Sequence, residues 1–76
     1  MIFKTHGKQI GIYGIYIDNK IVYIGQSKHL STRAQTHERN IREGAKWNGN
    51  WYLIANQFYL HGHKIEFKVL EEVPLD

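Results

Sequence analysis

The chain contains no cysteine and no long apolar run. The absence of cysteine excludes disulfide bonds and thiolate metal sites. No stretch approaches the roughly 18 consecutive apolar residues of a membrane-spanning helix, and the start of the chain lacks the apolar segment of a signal peptide. We therefore expect a cytoplasmic protein with no membrane partner. A length of 76 residues predicts one domain, residues 1–76.

Acidic residues are fewer than basic ones. The chain has 7 Asp and Glu against 10 Lys and Arg, which gives a net charge of +3. Six of the basic residues lie between Lys20 and Lys46, whereas acidic residues are concentrated towards the end of the chain. A basic segment of this kind favours one positive surface and a polyanionic partner. Hydrophobic residues make up 42% of the chain, which indicates a folded domain rather than a disordered one.

Two runs of β-branched and aromatic residues flank a polar break at 18–20. This pattern predicts a β-hairpin with strands at about 10–18 and 21–25. Both runs are apolar at odd and even positions, which indicates a pair of strands that is covered on both faces and central to the sheet. Glycines stand at the strand ends beside Tyr13 and Tyr23, where they permit close approach of a backbone or a ligand.

Two helices and a third strand are predicted after the hairpin. The first helix spans about 30–43, with Ser27 or Ser31 as its N-cap and Gly44 as its end. Its core face consists of Leu30, Ala34 and Ile41. Arg33 and His37 are four residues apart and therefore lie on one flank of this helix.

The second helix spans about 50–60, with Asn50 as N-cap and Gly62 as its stop. Its predicted core stripe is Trp51, Ile54, Ala55 and Phe58. Residues 64–70 then alternate between apolar and charged, which predicts a strand with one solvent-exposed face. The predicted fold class is α+β, with a small three-stranded antiparallel sheet flanked by helices.

Several segments together resemble the GIY-YIG nuclease family. Gly11-Ile12-Tyr13 is followed, after nine residues, by Tyr23-Ile24-Gly25, which is similar to the double motif that names the family. A second Gly-Ile-Tyr, residues 14–16, leaves only six residues before Tyr23, so we take Tyr13 as the motif tyrosine. Arg33 and His37 resemble the family's arginine-bearing helix, and residues 67–74 resemble its third strand. The resemblance covers nearly the whole chain.

The resemblance implies the GIY-YIG fold and a DNA endonuclease domain like those of phage homing endonucleases. Such domains cleave phosphodiester bonds with a divalent metal, magnesium or manganese. The implied catalytic residues are Tyr13, Tyr23, Arg33 and His37. A planar guanidinium such as that of Arg33 holds phosphate oxygens and stabilises the charge that develops on them. In the family the first tyrosine is the favoured proton acceptor, alone or through water, and Lys28 and Lys46 are expected to contact DNA.

One part of the family pattern is missing from this sequence. The family holds its metal with a glutamate on a helix after the third strand, and no glutamate stands at such a position here, so that helix is expected to be absent. Glu71 and Glu72 match the strand exit instead. We therefore expect DNA binding that weakens with salt and slow or no cleavage. We also expect exposed apolar surface near Ile65, Phe67 or Val69 that promotes dimerisation.

Two other functions fit the same sequence. A non-catalytic DNA-binding or inhibitory module would keep the fold and the basic surface without cleaving DNA. A protein-interaction domain would bind through exposed aromatic side chains, and its binding would be insensitive to salt; the candidates are Trp47, Trp51, Tyr52 and Tyr59. The site residues also have purely structural interpretations, since buried tyrosine rings usually tie their hydroxyl groups to a neighbour.

Overall fold

The computed structural model describes residues 1–3, 10–44 and 51–73. The elements in chain order are β1 (Ile10–Ile17), β2 (Lys20–Ser27), α1 (Leu30–Glu43), α2 (Trp51–Leu60) and β3 (Ile65–Val73). The strands form one antiparallel sheet in the order β2-β1-β3, which confirms the predicted α+β class and three-stranded sheet. Within the described ranges, neither helix has the length and apolar character that crossing a membrane requires. The predictions for Lys46, Trp47 and Asn50 lie outside the described residues.

The hairpin forms as predicted, but only β1 is central. Its turn places Asp18 and Asn19 at positive φ, 50° and 68°, a conformation that these two residue types tolerate in tight hairpins. The expectation that β2 is covered on both faces is wrong. Its apolar side chains are 44 to 62% exposed at Ile21, Val22 and Ile24. An apolar strand is buried on both faces only where other parts of the fold surround it. β2 lies at the edge of the sheet and is not surrounded in this way.

β3 pairs with β1 on the side opposite to β2 and is longer than predicted. Pairing continues to Ile10 and Val73, past a register shift between Ile12 and Tyr13. An exposed apolar patch was expected near Ile65, Phe67 or Val69. Ile65 and Phe67 are 0% and 4% exposed, so the expectation is wrong for these two residues, and Val69 is partly buried against the core. Phe67 stacks on Tyr13 with 4.6 Å between ring centroids, and Phe3 covers it at 5.8 Å.

α1 forms over the predicted range and buries Leu30, Ala34 and Ile41. Its start differs from the prediction, because neither serine caps it: the N-cap residue is His29, with no side-chain cap. Ser27 instead accepts a 3.0 Å hydrogen bond from the backbone N–H of His29 and closes the turn before the helix. Gly44 ends the helix as predicted, at φ 68°.

α2 is rotated relative to the predicted core stripe. Ile54 and Phe58 are 60% and 39% exposed, whereas the buried residues are Tyr52, Ala55 and Asn56. Polar contacts fix this rotation: the Asn56 amide donates hydrogen bonds of 2.8 and 3.0 Å to two carbonyl groups at the end of α1. The last carbonyl groups of a helix lack their usual partners one turn ahead, and here the Ile41 carbonyl also accepts a 3.3 Å hydrogen bond from the Gly44 N–H. The Asn56 amide adds to these contacts at the end of the helix, a requirement that apolar periodicity does not reveal.

Candidate functional site

His37 lies at the centre of a group of aromatic rings. Its ring centroid is 5.4 Å from that of Tyr13, 5.5 Å from Tyr23 and 5.7 Å from Tyr52. Trp51 stacks on Tyr23 at 4.8 Å with an interplanar angle of 9°. The rings come from β1, β2, α1 and α2, so the group exists only when the hairpin and both helices are packed together.

Two tyrosine hydroxyl groups hold the imidazole of His37 from opposite sides. The Tyr13 oxygen lies 2.7 Å from Nε2, and the Tyr52 oxygen lies 2.6 Å from Nδ1. All three side chains are 2% exposed. We call this set the Tyr13–His37–Tyr52 chain. Because both ring nitrogens are engaged, the imidazole has no nitrogen left for a further ligand.

The environment of the chain keeps His37 and Tyr13 uncharged at neutral pH. Burial lowers the pKa of His37 to about 4, and the positive charge of Arg33 acts in the same direction. Burial also raises the pKa of the Tyr13 phenol above its ordinary range, with Tyr23 adding to the effect and Arg33 opposing it. The neutral imidazole of His37 therefore lies beside the neutral phenol of Tyr13, within reach of the charge of Arg33.

Gly25, the last residue of the double motif, makes room for Tyr13. The two residues are cross-strand partners in the hairpin. A Cβ at Gly25 would lie 2.4 Å from the Tyr13 hydroxyl oxygen and 2.5 Å from the ring carbon that carries it. The glycine thus lets the phenol lie flat across β2, with its hydroxyl directed at His37.

Gly25→Ala is expected to lower the free energy of unfolding by about 1–3 kcal/mol, because the buried Tyr13 ring must shift to admit the methyl group. Gly14→Ala is the matched control in the neighbouring strand, since its nearest atom, 2.9 Å away, is the flexible end of the Ile21 side chain. Urea denaturation of both variants measures the difference. An equal or larger loss for Gly14→Ala would contradict this packing role.

A cavity of about 600 Å³ opens where the start of β1, the end of β2 and the start of α1 meet. Arg33 and Lys28 supply the cationic part of its lining. Ile10, Ile12 and Val73 supply the apolar part. None of the described residues that line it carries a carboxylate, so the cavity attracts anions.

The structure brings the predicted site residues together in a layered arrangement. Tyr13 and His37 are buried, Tyr23 is partly exposed, and Arg33 is exposed at the cavity. We expected one concave basic surface carrying all four side chains; instead the cavity lining contains Arg33, whereas Tyr13, Tyr23 and His37 are not part of it. The catalytic roles of these residues stay predictions.

Sequence reasoning missed Tyr52, which it placed among exposed aromatic residues. The side chain is buried and bound to His37, so that assignment is wrong. A signal for such a partner was present in α1, because His37 recurs with Leu30, Ala34 and Ile41 on the apolar face of the helix. A histidine on that face requires buried hydrogen-bond partners, but the sequence does not identify them.

The described residues do not fit the divalent metal that the resemblance implies. Residues 1–3, 10–44 and 51–73 contain no group of three or more His, Asp or Glu side chains arranged to hold a metal ion. Glu66 is paired in register with Tyr16, on the sheet face opposite to Tyr13, and its carboxylate lies 3.3 Å from the Lys64 ammonium. Glu71 and Glu72 lie in the exposed last part of β3.

Comparison with known proteins found no protein-family model, no curated protein and no solved structure that matches this chain. The GIY-YIG resemblance therefore rests on the motif residues alone. Since one fold supports many activities, a function has to be argued from the geometry and chemistry of the site.

Proposed function

We propose that this domain binds DNA and cleaves its phosphodiester bonds, with Arg33 holding the phosphate and Tyr13 accepting a proton. The observation that carries the proposal is the joining of Tyr13 to His37 at 2.7 Å, beside an exposed arginine whose charge reaches both groups. Packing alone would favour apolar side chains at these positions, since each buried polar group has to be desolvated.

Arg33 has the chemistry that a phosphate site requires. Its guanidinium presents several N–H donors in one plane and stays charged at every relevant pH. Lys28 lies in the same cavity lining and adds a second cation for the neighbouring backbone phosphate. A cation fixed beside the phosphodiester lowers the barrier because negative charge builds on the phosphate oxygens as the bond breaks.

Tyr13 can accept a proton only if its own hydroxyl proton leaves in the same step, and Nε2 of His37, 2.7 Å from the phenol oxygen, is placed to take that proton. A neutral phenol is a poor base near neutral pH, and burial makes Tyr13 harder to ionise. Arg33 works against this effect, and the imidazole of His37 supplies a hydrogen-bond partner at the phenol oxygen. Stacking of Trp51 on Tyr23 holds the second tyrosine against His37, with 5.5 Å between the ring centroids.

A divalent metal would supply charge stabilisation for the leaving and attacking oxygens. The described residues contain no group arranged to hold such an ion. Without that contribution we expect cleavage by this chain to be slow.

A second candidate is a DNA-binding module that does not cleave. It is favoured by the complete burial of the Tyr13–His37–Tyr52 chain and by the lack of a metal-holding group in the described ranges. The protein-interaction alternative loses support, because Tyr52 is buried and Trp51 is engaged with Tyr23.

The two DNA functions separate in one experiment on the purified chain. Binding to a labelled duplex is measured over a range of salt concentrations, and nicking of supercoiled plasmid is followed with magnesium, with manganese and with a chelator. Both functions predict affinity that falls steeply with salt. Slow metal-dependent nicking supports the endonuclease, whereas binding without nicking supports the module. Affinity that does not change with salt would contradict both.

A further inference from the structure

His29 lines the same cavity as Arg33 and has no role in the function proposed above. Its backbone is held on both sides. Its N–H donates a 3.0 Å hydrogen bond to the Ser27 hydroxyl oxygen, and its carbonyl accepts a 3.0 Å hydrogen bond from the N–H of Arg33. Arg33 therefore follows His29 by one helical turn, about 5.4 Å along the axis, so the two side chains are neighbours in the lining.

The imidazole of His29 is available to a bound molecule. The side chain is exposed, it does not cap α1, and its ring makes no hydrogen bond or ion pair within the described part of the chain. Two other histidines differ in this respect. Both ring nitrogens of His37 are engaged by tyrosine hydroxyl groups, and Nδ1 of His63 is bound to the Asp18 carboxylate.

Among the described residues that line the cavity, His29 is the one suited to transfer a proton near neutral pH. Histidine changes its charge between about pH 5 and 8. The lining also contains Lys28 and Arg33, but lysine and arginine release their protons only at far higher pH. The hydroxyl group of Ser27 and the amide of Gln26 do not titrate in this range.

Cleavage of a phosphodiester also requires a proton at the leaving oxygen. When the bond between phosphorus and that oxygen breaks, the electron pair stays on the oxygen, and a proton delivered at this moment lowers the barrier. In the proposed function Tyr13 and His37 take up the proton of the attacking water, so they do not supply one in the same step. The proton for the leaving oxygen has to come from another group.

We propose that His29 is a further catalytic residue, the general acid that protonates the leaving oxygen while Arg33 holds the phosphate. This role rests on the proposed function. The water oxygen bonds to phosphorus, the bond to the leaving oxygen breaks with its electron pair on that oxygen, and the proton of the His29 imidazolium moves to it. Tyr13 and His37 gain one proton as His29 loses one, and exchange with solvent restores both.

The bound phosphodiester supports the protonated imidazole that this step requires. Lys28 and Arg33 alone disfavour a third positive charge in the lining, whereas the phosphate brings a negative charge next to it. No described residue of the lining carries a carboxylate that would compete with the phosphate for the imidazolium. His29 therefore takes up its proton together with the substrate.

His29→Asn tests this role, because asparagine is a favourable N-cap residue and does not titrate. Single-turnover cleavage with saturating protein is measured on a duplex oligonucleotide whose cleaved bond has been mapped with the wild-type chain. We expect the rate to fall about a hundredfold, the effect of losing a general acid. DNA affinity should stay within about threefold, since one exposed charge contributes little. His61→Asn, at an exposed histidine outside the lining, is the matched control and should change neither value.

A second duplex with sulfur in place of the leaving oxygen separates proton donation from other roles. Thiols ionise near about pH 8.5, so a thiolate leaves without receiving a proton. We expect His29→Asn to cleave this duplex within about threefold of the wild-type rate, because the step no longer needs an acid. Arg33→Ala should stay slow on both duplexes, since charge still builds on the phosphate oxygens.

The outcomes distinguish this inference from the proposed function. Wild-type cleavage of the oxygen duplex by folded His29→Asn, or an equal loss on the oxygen and sulfur duplexes, would overturn the general-acid role and leave the endonuclease standing. A wild-type chain that cleaves neither duplex would overturn the proposed function and the role of His29 together.

Discussion

Arg33→Ala is expected to reduce plasmid cleavage by about a hundredfold or more, the typical effect of removing one group that stabilises transition-state charge. DNA binding should weaken for every duplex sequence. The slope of log affinity against log salt should become shallower by about one, because one phosphate contact is lost. The reason is structural: Arg33 lines the cavity, and its charge reaches both His37 and Tyr13.

Arg39→Ala is the matched control for this prediction. Arg39 is also exposed on α1 and carries the same charge, but it does not line the cavity. Arg33→Lys keeps the charge and loses the planar fork, so it should restore binding more fully than cleavage. Equal effects of Arg33→Ala and Arg39→Ala would show that net charge alone governs the interaction with DNA.

Acidification is expected to destabilise the domain through His37. In the unfolded chain this histidine takes up a proton near its ordinary pKa of 6.5, whereas in the folded domain the pKa is lowered to about 4 by burial and by Arg33. The unfolded state therefore binds more protons between these values, and the stability contributed by the neutral buried imidazole is lost as pH falls through that window. The loss amounts to about 3 kcal/mol, a large part of the roughly 4–11 kcal/mol expected for a domain of this size.

His37→Gln tests this expectation, because glutamine can donate and accept hydrogen bonds but does not titrate. Urea denaturation of both chains between neutral pH and pH 4 gives the difference in free energy of unfolding. We expect the wild-type advantage to shrink by about 3 kcal/mol across the window. Taking the difference cancels the other titrating groups, including the Asp18 carboxyl, whose pKa is lowered by its hydrogen bond to His63. A constant difference would mean that His37 is not buried as a neutral group.

Local sequence patterns predicted the fold well where a single physical requirement explains the residue found at a position. Gly44 ends α1 because a left-handed residue is needed there, and the alternation of Ile65 and Phe67 with charged residues matches β3. Burial was harder to predict, since β2 has the composition of a central strand and lies at the edge. The composition of a strand shows whether it could be buried. Whether it is buried depends on its neighbours in the folded sheet.

The candidate site was predicted through its motif residues and not through its contacts. The spacing of Tyr13, Tyr23, Arg33 and His37 placed them on elements that meet in the structure. The partner of His37 on α2 could not be predicted, because it depends on a helix rotation that Asn56 fixes through carbonyl groups of α1. Such long-range polar contacts leave no periodic trace in the sequence.

The most direct test of the account is single-turnover cleavage by the wild-type chain and by Tyr13→Phe, with excess protein and with magnesium or manganese. The substitution removes the oxygen that contacts His37 and leaves the cavity lining unchanged. We expect slow wild-type cleavage, a fall of about a hundredfold or more in the folded variant, and DNA affinity within about twofold. Equal cleavage by both chains, or no cleavage by the wild type, would contradict the assignment of Tyr13 and Arg33 to a phosphodiester-cleaving site.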